Sequence, residues 1–133
     1  MKNMNAAQVK KMLDRHAMWL RSRPPNATPH PPKAGERADF SGVDLREHVQ
    51  AFNKAELRGA NFSGAVLNLL EFHNADLREC NFINAMMWGT DLRGAALHDA
   101  DFEGAQITGV KLDPNPMWSE LRFAFNIHKA IRE

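Results

Sequence analysis

From Phe52 to Leu112 a large apolar residue returns at every fifth position: Phe52, Leu57, Phe62, Leu67, Phe72, Leu77, Phe82, Met87, Leu92, Leu97, Phe102, Ile107 and Leu112. An α-helix cannot use that beat, because 3.6 residues per turn would walk these side chains around the whole cylinder. A flat strand cannot either, because successive members would point to opposite faces. The beat suits a chain that runs extended for two or three residues, turns a corner and repeats. Two residues before the large residue stands a small one, as at Ala55, Ala60, Ala65, Ala75, Cys80, Ala85, Thr90, Ala95, Ala100 and Ala105. In an extended segment those two share a face, so both point inward. Asp, Asn or Glu often precedes the large residue, and Gly59, Gly64, Gly89, Gly94, Gly104 and Gly109 follow it by two. Glycine or asparagine there supplies the corner conformation that other side chains resist.

Four such units close a square coil, which makes vertical neighbours twenty residues apart. Phe40 and Leu45 keep the beat, but Leu45 to Phe52 is seven residues, so "REHVQAF" carries a two-residue insertion. If a corner absorbs it, Phe40, Phe62, Phe82 and Phe102 form one interior stack, and Leu45 tops Leu67, Met87 and Ile107. The remaining columns are Phe52, Phe72, Leu92, Leu112 and Leu57, Leu77, Leu97. The central side chains, at roughly 1.5–3 kcal/mol each, supply a workable core. Stacked strands about 4.8 Å apart make the rod about 15–20 Å tall. Both ends of such a solenoid need covering.

The segments "ADFSG", "AELRG", "ANFSG", "ADLRE", "TDLRG" and "ADFEG" resemble the pentapeptide-repeat family, whose motif is Ala-(Asp/Asn)-Leu-x-x. The resemblance covers about residues 38–112. It implies an all-β solenoid, a right-handed quadrilateral β-helix; the units counted here give just under four coils, and the residues on either side read as an N-terminal and a C-terminal α-helix. The stretch "LDRHAMWLRS" ahead of "GERADFSGVDL" is also similar to the leader of short bacterial and phage members.

The domain plan is an amphipathic helix in residues 1–22, a Pro-rich linker at 23–37, the β-helix at 38–113 and a C-terminal capping and dimerisation helix at 114–133. Asn5 and Gln8 form the N-terminal signature of the first helix. Its apolar face is Val9, Met12, Leu13, His16, Ala17, Trp19 and Leu20. In the last segment, Met117, Trp118, Leu121, Ala124, Phe125, His128 and Ile131 face one way, while Phe123 and Ile127 fall outside that face. By resemblance to the quinolone-resistance branch of the family, Phe123 and Ile127 are expected to make a homodimer. A monomeric mass in light scattering at tens of micromolar would count against it.

Charge is distributed unevenly along the 133 residues. Residues 1–35 hold seven Lys/Arg and one Asp, a balance of +6, whereas residues 36–113 hold seven against thirteen, a balance of −6. No apolar run approaches the ~20 residues of a membrane span. The N-terminus also lacks a signal-peptide core, so a cytoplasmic protein without a membrane role is expected. A basic amphipathic helix lying on a membrane surface is a competing reading of residues 5–21.

Little in the sequence points to catalysis. One wall places Glu71 above Asp91, beside His73, Arg93, Asn53 and Asp113, a set that could suggest acid–base work. Such walls are flat, however, and catalysis needs a concave site that excludes water. A second wall sets Arg58, Arg78 and His98 beside Glu56, Asp76 and Ala96, an ordinary salt-bridge ladder and a poor nucleic-acid site. The six histidines show no ligand spacing, so no metal site is expected. Cys80, the single cysteine, reads as packing, and no cofactor motif appears.

These readings converge on a non-enzymatic interaction module that presents a rigid surface to a partner protein. The resemblance adds two narrower alternatives: a DNA mimic that regulates a type II topoisomerase, or a phage or bacterial accessory factor engaging a defence or regulatory protein. Direct nucleic-acid binding is not expected. The best candidate surface comes from "NAMMWGTDLRG". Met87 is the inward residue there, which turns Met86 and Trp88 outward on a wall that should be polar. Val66, Leu69 and Ile83 join them in an apolar patch. Either the N-terminal helix folds back and docks Trp19 or Leu20 on it, or it meets a partner with Trp88 as the anchor.

Overall fold

The computed structural model describes residues 2–21, 37–113 and 126. Residues 37–113 form a four-sided coil in which each five-residue unit is one short extended side and one corner. Its rungs are parallel bridges repeated at twenty residues: Glu56–Asp76–Ala96, Asn61–Asn81–Asp101, Val66–Met86–Gln106 and Glu71–Asp91–Lys111. Each corner closes with the carbonyl of the large residue accepting the N–H three positions on, as in Ala60 N to Leu57 O at 2.8 Å. The residue two after the large one takes positive φ at every corner from Lys54 to Gly109, which is the type II turn pattern.

The structure also explains the acid or amide that precedes many of the large residues. The side-chain oxygens of Asp39, Asp44, Asn61, Asp76, Asn81, Asp91 and Asp101 each accept the N–H two residues on, at 2.9–3.2 Å. That N–H flanks the corner and belongs to no rung. The motif residue therefore satisfies the one backbone donor that coiling leaves over.

Inside, the rings of Phe40, Phe62, Phe82 and Phe102 stack at centroid spacings of 5.0–5.2 Å, with planes within 12°. Phe52 and Phe72 meet this column edge-on. Cys80 and Thr90 occupy the small inward position and donate Sγ–H and Oγ1–H to the carbonyls of Leu57 and Leu67, at 3.0 and 2.8 Å. Leu70 breaks the small-residue rule and is fully buried. It lies beneath the corner that absorbs the insertion: partners are 22 residues apart at Asp39–Asn61 and Asp44–Val66, but 20 from Glu56–Asp76 onward.

The N-terminal segment covers the upper edge of the coil. A short strand, β1 (Lys2–Asn3), pairs in parallel with β2 (Val43–Asp44) in the first coil. The helix α1 (Ala6–Arg21) follows, and Asn5 and Gln8 exchange reciprocal backbone–side-chain bonds at 2.8 Å, a capping box. Two histidines fasten the segment. His48, in the inserted corner, donates Nε2–H to the Met4 carbonyl at 2.7 Å. His16, fully buried, accepts the Ala38 N–H on Nδ1 and donates Nε2–H to the Arg58 carbonyl, both at 2.9 Å.

Those two groups flank the side of the first coil that has no unit above Leu57 among the described residues. One imidazole thus stands in for the missing rung. Trp19 packs against His16 and Gly59 beside it, and Arg21 reaches Glu56 at 3.4 Å. The helix therefore lies over the top of the coil, and its fold-back onto the Met86/Trp88 wall is corrected: His16 finds its two backbone partners at the coil edge, where exposed peptide groups need covering more than an apolar wall does.

The expected 23–37 linker and 114–133 helix lie almost wholly outside the described residues. Within the second, Asn126 has φ of 57° and donates Nδ2–H to Asp101 Oδ1 at 3.0 Å.

Candidate interaction surface

The wall carrying the Val66–Met86–Gln106 rung departs from the motif at its outward positions. Met86 has no side-chain oxygen to accept the N–H of Trp88, so that donor is taken by Asn68 Oδ1 from one coil above, at 2.9 Å. The adjacent corner holds Leu69, whose N–H donates to the Trp88 carbonyl at 2.9 Å. Leu69 takes φ of 64°. The corner residues below it are Gly89 and Gly109, which adopt this region without a Cβ penalty, whereas an L side chain costs about 1–2 kcal/mol. A Cβ built on Gly89 would lie 2.8 Å from Leu69 Cδ2. The leucine therefore uses the space that Gly89 leaves.

Of the five residues expected on this patch, Leu69 and Trp88 are 69% and 44% exposed. Met86 and Ile83 are half-buried, and Ile83 lies one wall back. Val66, at 4% exposure, is the floor of the patch and cannot itself reach a partner, which corrects its placement as an outward contact. The expected dimer residues Phe123 and Ile127 lie outside the described residues. Leu69 had stood in the sequence as a corner neighbour; its left-handed backbone follows from the five-residue beat, which puts residue 69 where residues 59, 64 and 89 are glycine.

The polar wall is a closed network. Asp91 accepts the Arg93 side chain through Nε and Nη2, the shortest contact at 2.6 Å, and His73 Nε2 at 2.6 Å. Asn53 donates to Glu71 at 3.0 Å, and its Oδ1 accepts the His73 N–H. The Arg93 hydrogen bonds, above all, hold the Asp91 carboxyl well below the usual carboxylate range, against a smaller opposing effect of burial. On the second wall Arg78 is bidentate to Asp76, and Arg58 pairs with Glu79. Burial pushes the Cys80 thiol far above its ordinary value. Among the described residues, no group of three His, Cys, Asp or Glu could hold a metal ion, and no helix is long and apolar enough to cross a membrane.

The family model for pentapeptide repeats matches residues 51–82 and 75–113. No curated protein matches the sequence. Among solved structures, a pentapeptide repeat protein from the Arabidopsis thaliana thylakoid lumen is 28% identical over 59% of this chain and 52% of its own, with a TM-score of 0.48. A pentapeptide repeat protein from the cyanobacterium Cyanothece 51142 is 23% identical over 72% and 54%, with a TM-score of 0.45. HetL from Nostoc sp. strain PCC 7120, involved in heterocyst differentiation regulation, is 22% identical over 74% and 40%, with a TM-score of 0.49. The chain spans about half or less of the length of each of these structures.

Proposed function

The chain belongs to the pentapeptide-repeat family, and on that premise we propose that it is a non-enzymatic interaction module that presents the Leu69/Trp88 corner to a partner protein. Members of the family are in general interaction proteins built on a right-handed quadrilateral β-helix. The observation that carries the proposal is Leu69, a mostly exposed leucine in a left-handed conformation at a corner where glycine would serve the fold better. Lys54 and Glu79 take the same left-handed φ at equivalent corners, so what singles out Leu69 is its exposed apolar side chain. Trp88 beside it is the residue type that anchors protein interfaces.

The test is quantitative co-purification from the native host with wild type, Leu69→Gly and Trp88→Ala as paired baits. A partner held by wild type and lost from both variants, with both variants at wild-type stability or above, is the expected result. The same proteins recovered equally from all three baits would end the proposal.

The topoisomerase reading is placed second. A DNA mimic needs unneutralised acid on its walls, and here Asp44, Asp76 and Asp91 are each bridged by the arginine two residues on. Unchanged supercoiling by gyrase at micromolar protein would remove it. Cytoplasmic residence, homodimerisation through Phe123 and Ile127, and a phage or bacterial partner remain parts of the same proposal.

A further inference from the structure

Between α1 and the first residues of the coil lies a cavity of about 350 Å³, lined by Met4, Gln8, Lys11, Met12, Arg15, Arg37 and Asp39. Gln8, Lys11, Met12 and Arg15 are spaced i, i+3, i+4 and i+7, so one stripe of the helix faces this seam. The opposite side of the cavity is the chain entering the first coil. Three cations and one carboxylate make the lining net positive. None of the three cations is ion-paired among the described residues, although Lys10 and Arg21 on the same helix are. Arg37 Nε is buried and finds no acceptor among the described residues. A guanidinium N–H removed from water without a partner is a standing demand for an anionic oxygen.

We propose that this seam binds a small organic carboxylate with a short apolar body. The planar guanidinium of Arg37 offers the fork that a carboxylate matches. Lys11 and Arg15, on successive turns, supply the remaining positive field. Met4 and Met12 line the cavity with flexible apolar side chains that adapt to an alkyl chain. Asp39 at the same rim disfavours a dianion more than a monoanion, which selects carboxylate over phosphate. The volume lies at the small end of ligand pockets. Because the site joins α1 to the coil, a bound ligand ties the N-terminal cap down, and it does so independently of the Leu69/Trp88 corner.

The probe is sodium octanoate, titrated into the full chain by calorimetry and by heteronuclear NMR, with octan-1-ol and inorganic phosphate as comparison ligands. Saturable octanoate binding is expected, with amide shifts confined to residues near the seam and a rise in melting temperature. Octan-1-ol and phosphate should each bind at least about tenfold more weakly. Arg37→Met, and separately the exposed pair Lys11→Gln/Arg15→Gln, should each weaken octanoate by about tenfold or more. The helix-surface pair touches no core group, so it decides the matter even if Arg37→Met loosens the cap. No saturation by about 10 mM octanoate, unchanged affinity in the Lys11/Arg15 pair, or equal binding of octan-1-ol or phosphate would each overturn the assignment.

Discussion

Replacing His16 by alanine should detach the N-terminal cap. The imidazole is fully buried and satisfies two backbone groups at once, the Ala38 N–H and the Arg58 carbonyl, each at 2.9 Å. Removing it leaves both groups without their partner, at about 1–3 kcal/mol each if they stay buried. It also opens a hole beside Trp19, whose ring centroid lies 5.1 Å from the imidazole, which adds about 1–2 kcal/mol. The sum, about 3–8 kcal/mol, is larger than a sixteen-residue helix held by three buried side chains can absorb in place.

The cheaper response is therefore for α1 to lift and let water satisfy the two groups. Expected readouts are a red shift of Trp19 emission, protease cleavage within residues 6–21, and loss of hydrogen-exchange protection at Ala38, with the inner coils still protected. His16→Phe keeps the ring volume but loses both hydrogen bonds, so it isolates the polar contribution, and it should also release the helix. If His16→Phe retains wild-type protection at Ala38 and wild-type protease resistance, the imidazole is only filling space and the account of the missing rung is wrong.

Two further outcomes follow from the walls and the core. Asp91 is ionised well below its ordinary 3.8 because Arg93, and then His73, hydrogen-bond its charged form. A carboxyl lowered in the folded state contributes stability above its unfolded pKa and loses it as pH falls. Asp91→Asn should cost about 1–2 kcal/mol at pH 7, discounted for a half-exposed Arg93, and the gap to wild type should close on acidification in urea titrations. A gap that is independent of pH would contradict the sign. Cys80, buried and donating to the Leu57 carbonyl, should resist a thiol reagent until the coil unfolds, and Cys80→Ala should cost no more than about 1 kcal/mol because alanine fills the equivalent position at Ala60 and Ala100. Rapid native-state labelling would refute that reading.

The coil was legible in the sequence because its period is set by backbone geometry that few other arrangements allow. Phe40, Phe62, Phe82 and Phe102 follow from a spacing of twenty plus one insertion, and they stack face to face. What the period does not encode is the fate of side chains outside it. His16 reads as one polar residue on an apolar helix face, and only its bonds to Ala38 and Arg58, where no unit stands above Leu57 among the described residues, show what it is for. Trp19 and Leu20 could have met any apolar surface. The choice was made by unpaired peptide groups at the coil edge, which leave no mark on hydropathy. Leu70 violates the small-residue rule, and only the insertion in the corner above it explains how it is buried. Val66 sits in an outward register, yet its neighbours cover it, since register fixes direction and not exposure.

The Leu69/Trp88 corner gathers three separate concessions in one place. Residue 86 gives up the acid or amide that would hold the next corner N–H, and Asn68 must reach from the coil above to replace it. Residue 69 gives up glycine or asparagine for a mostly exposed leucine, in the left-handed conformation that Lys54 and Glu79 also accept. Residue 88 leaves a tryptophan nearly half exposed. Each concession alone would be unremarked drift on a wall that tolerates change. Drift, however, has no reason to put all three within one corner, although the glycine beneath Leu69 is itself the usual corner residue, as Gly94 and Gly104 are beneath Asn74 and Asn84. Gly89→Ala separates the two explanations. It would press a methyl against Leu69 without touching the core, at the cost of about 1–2 kcal/mol that a left-handed alanine carries, so it should reorient Leu69 and weaken partner capture as much as Leu69→Gly does. If the partner is retained in Gly89→Ala and lost only in Trp88→Ala, Trp88 alone is the contact and the strain at Leu69 has no functional meaning.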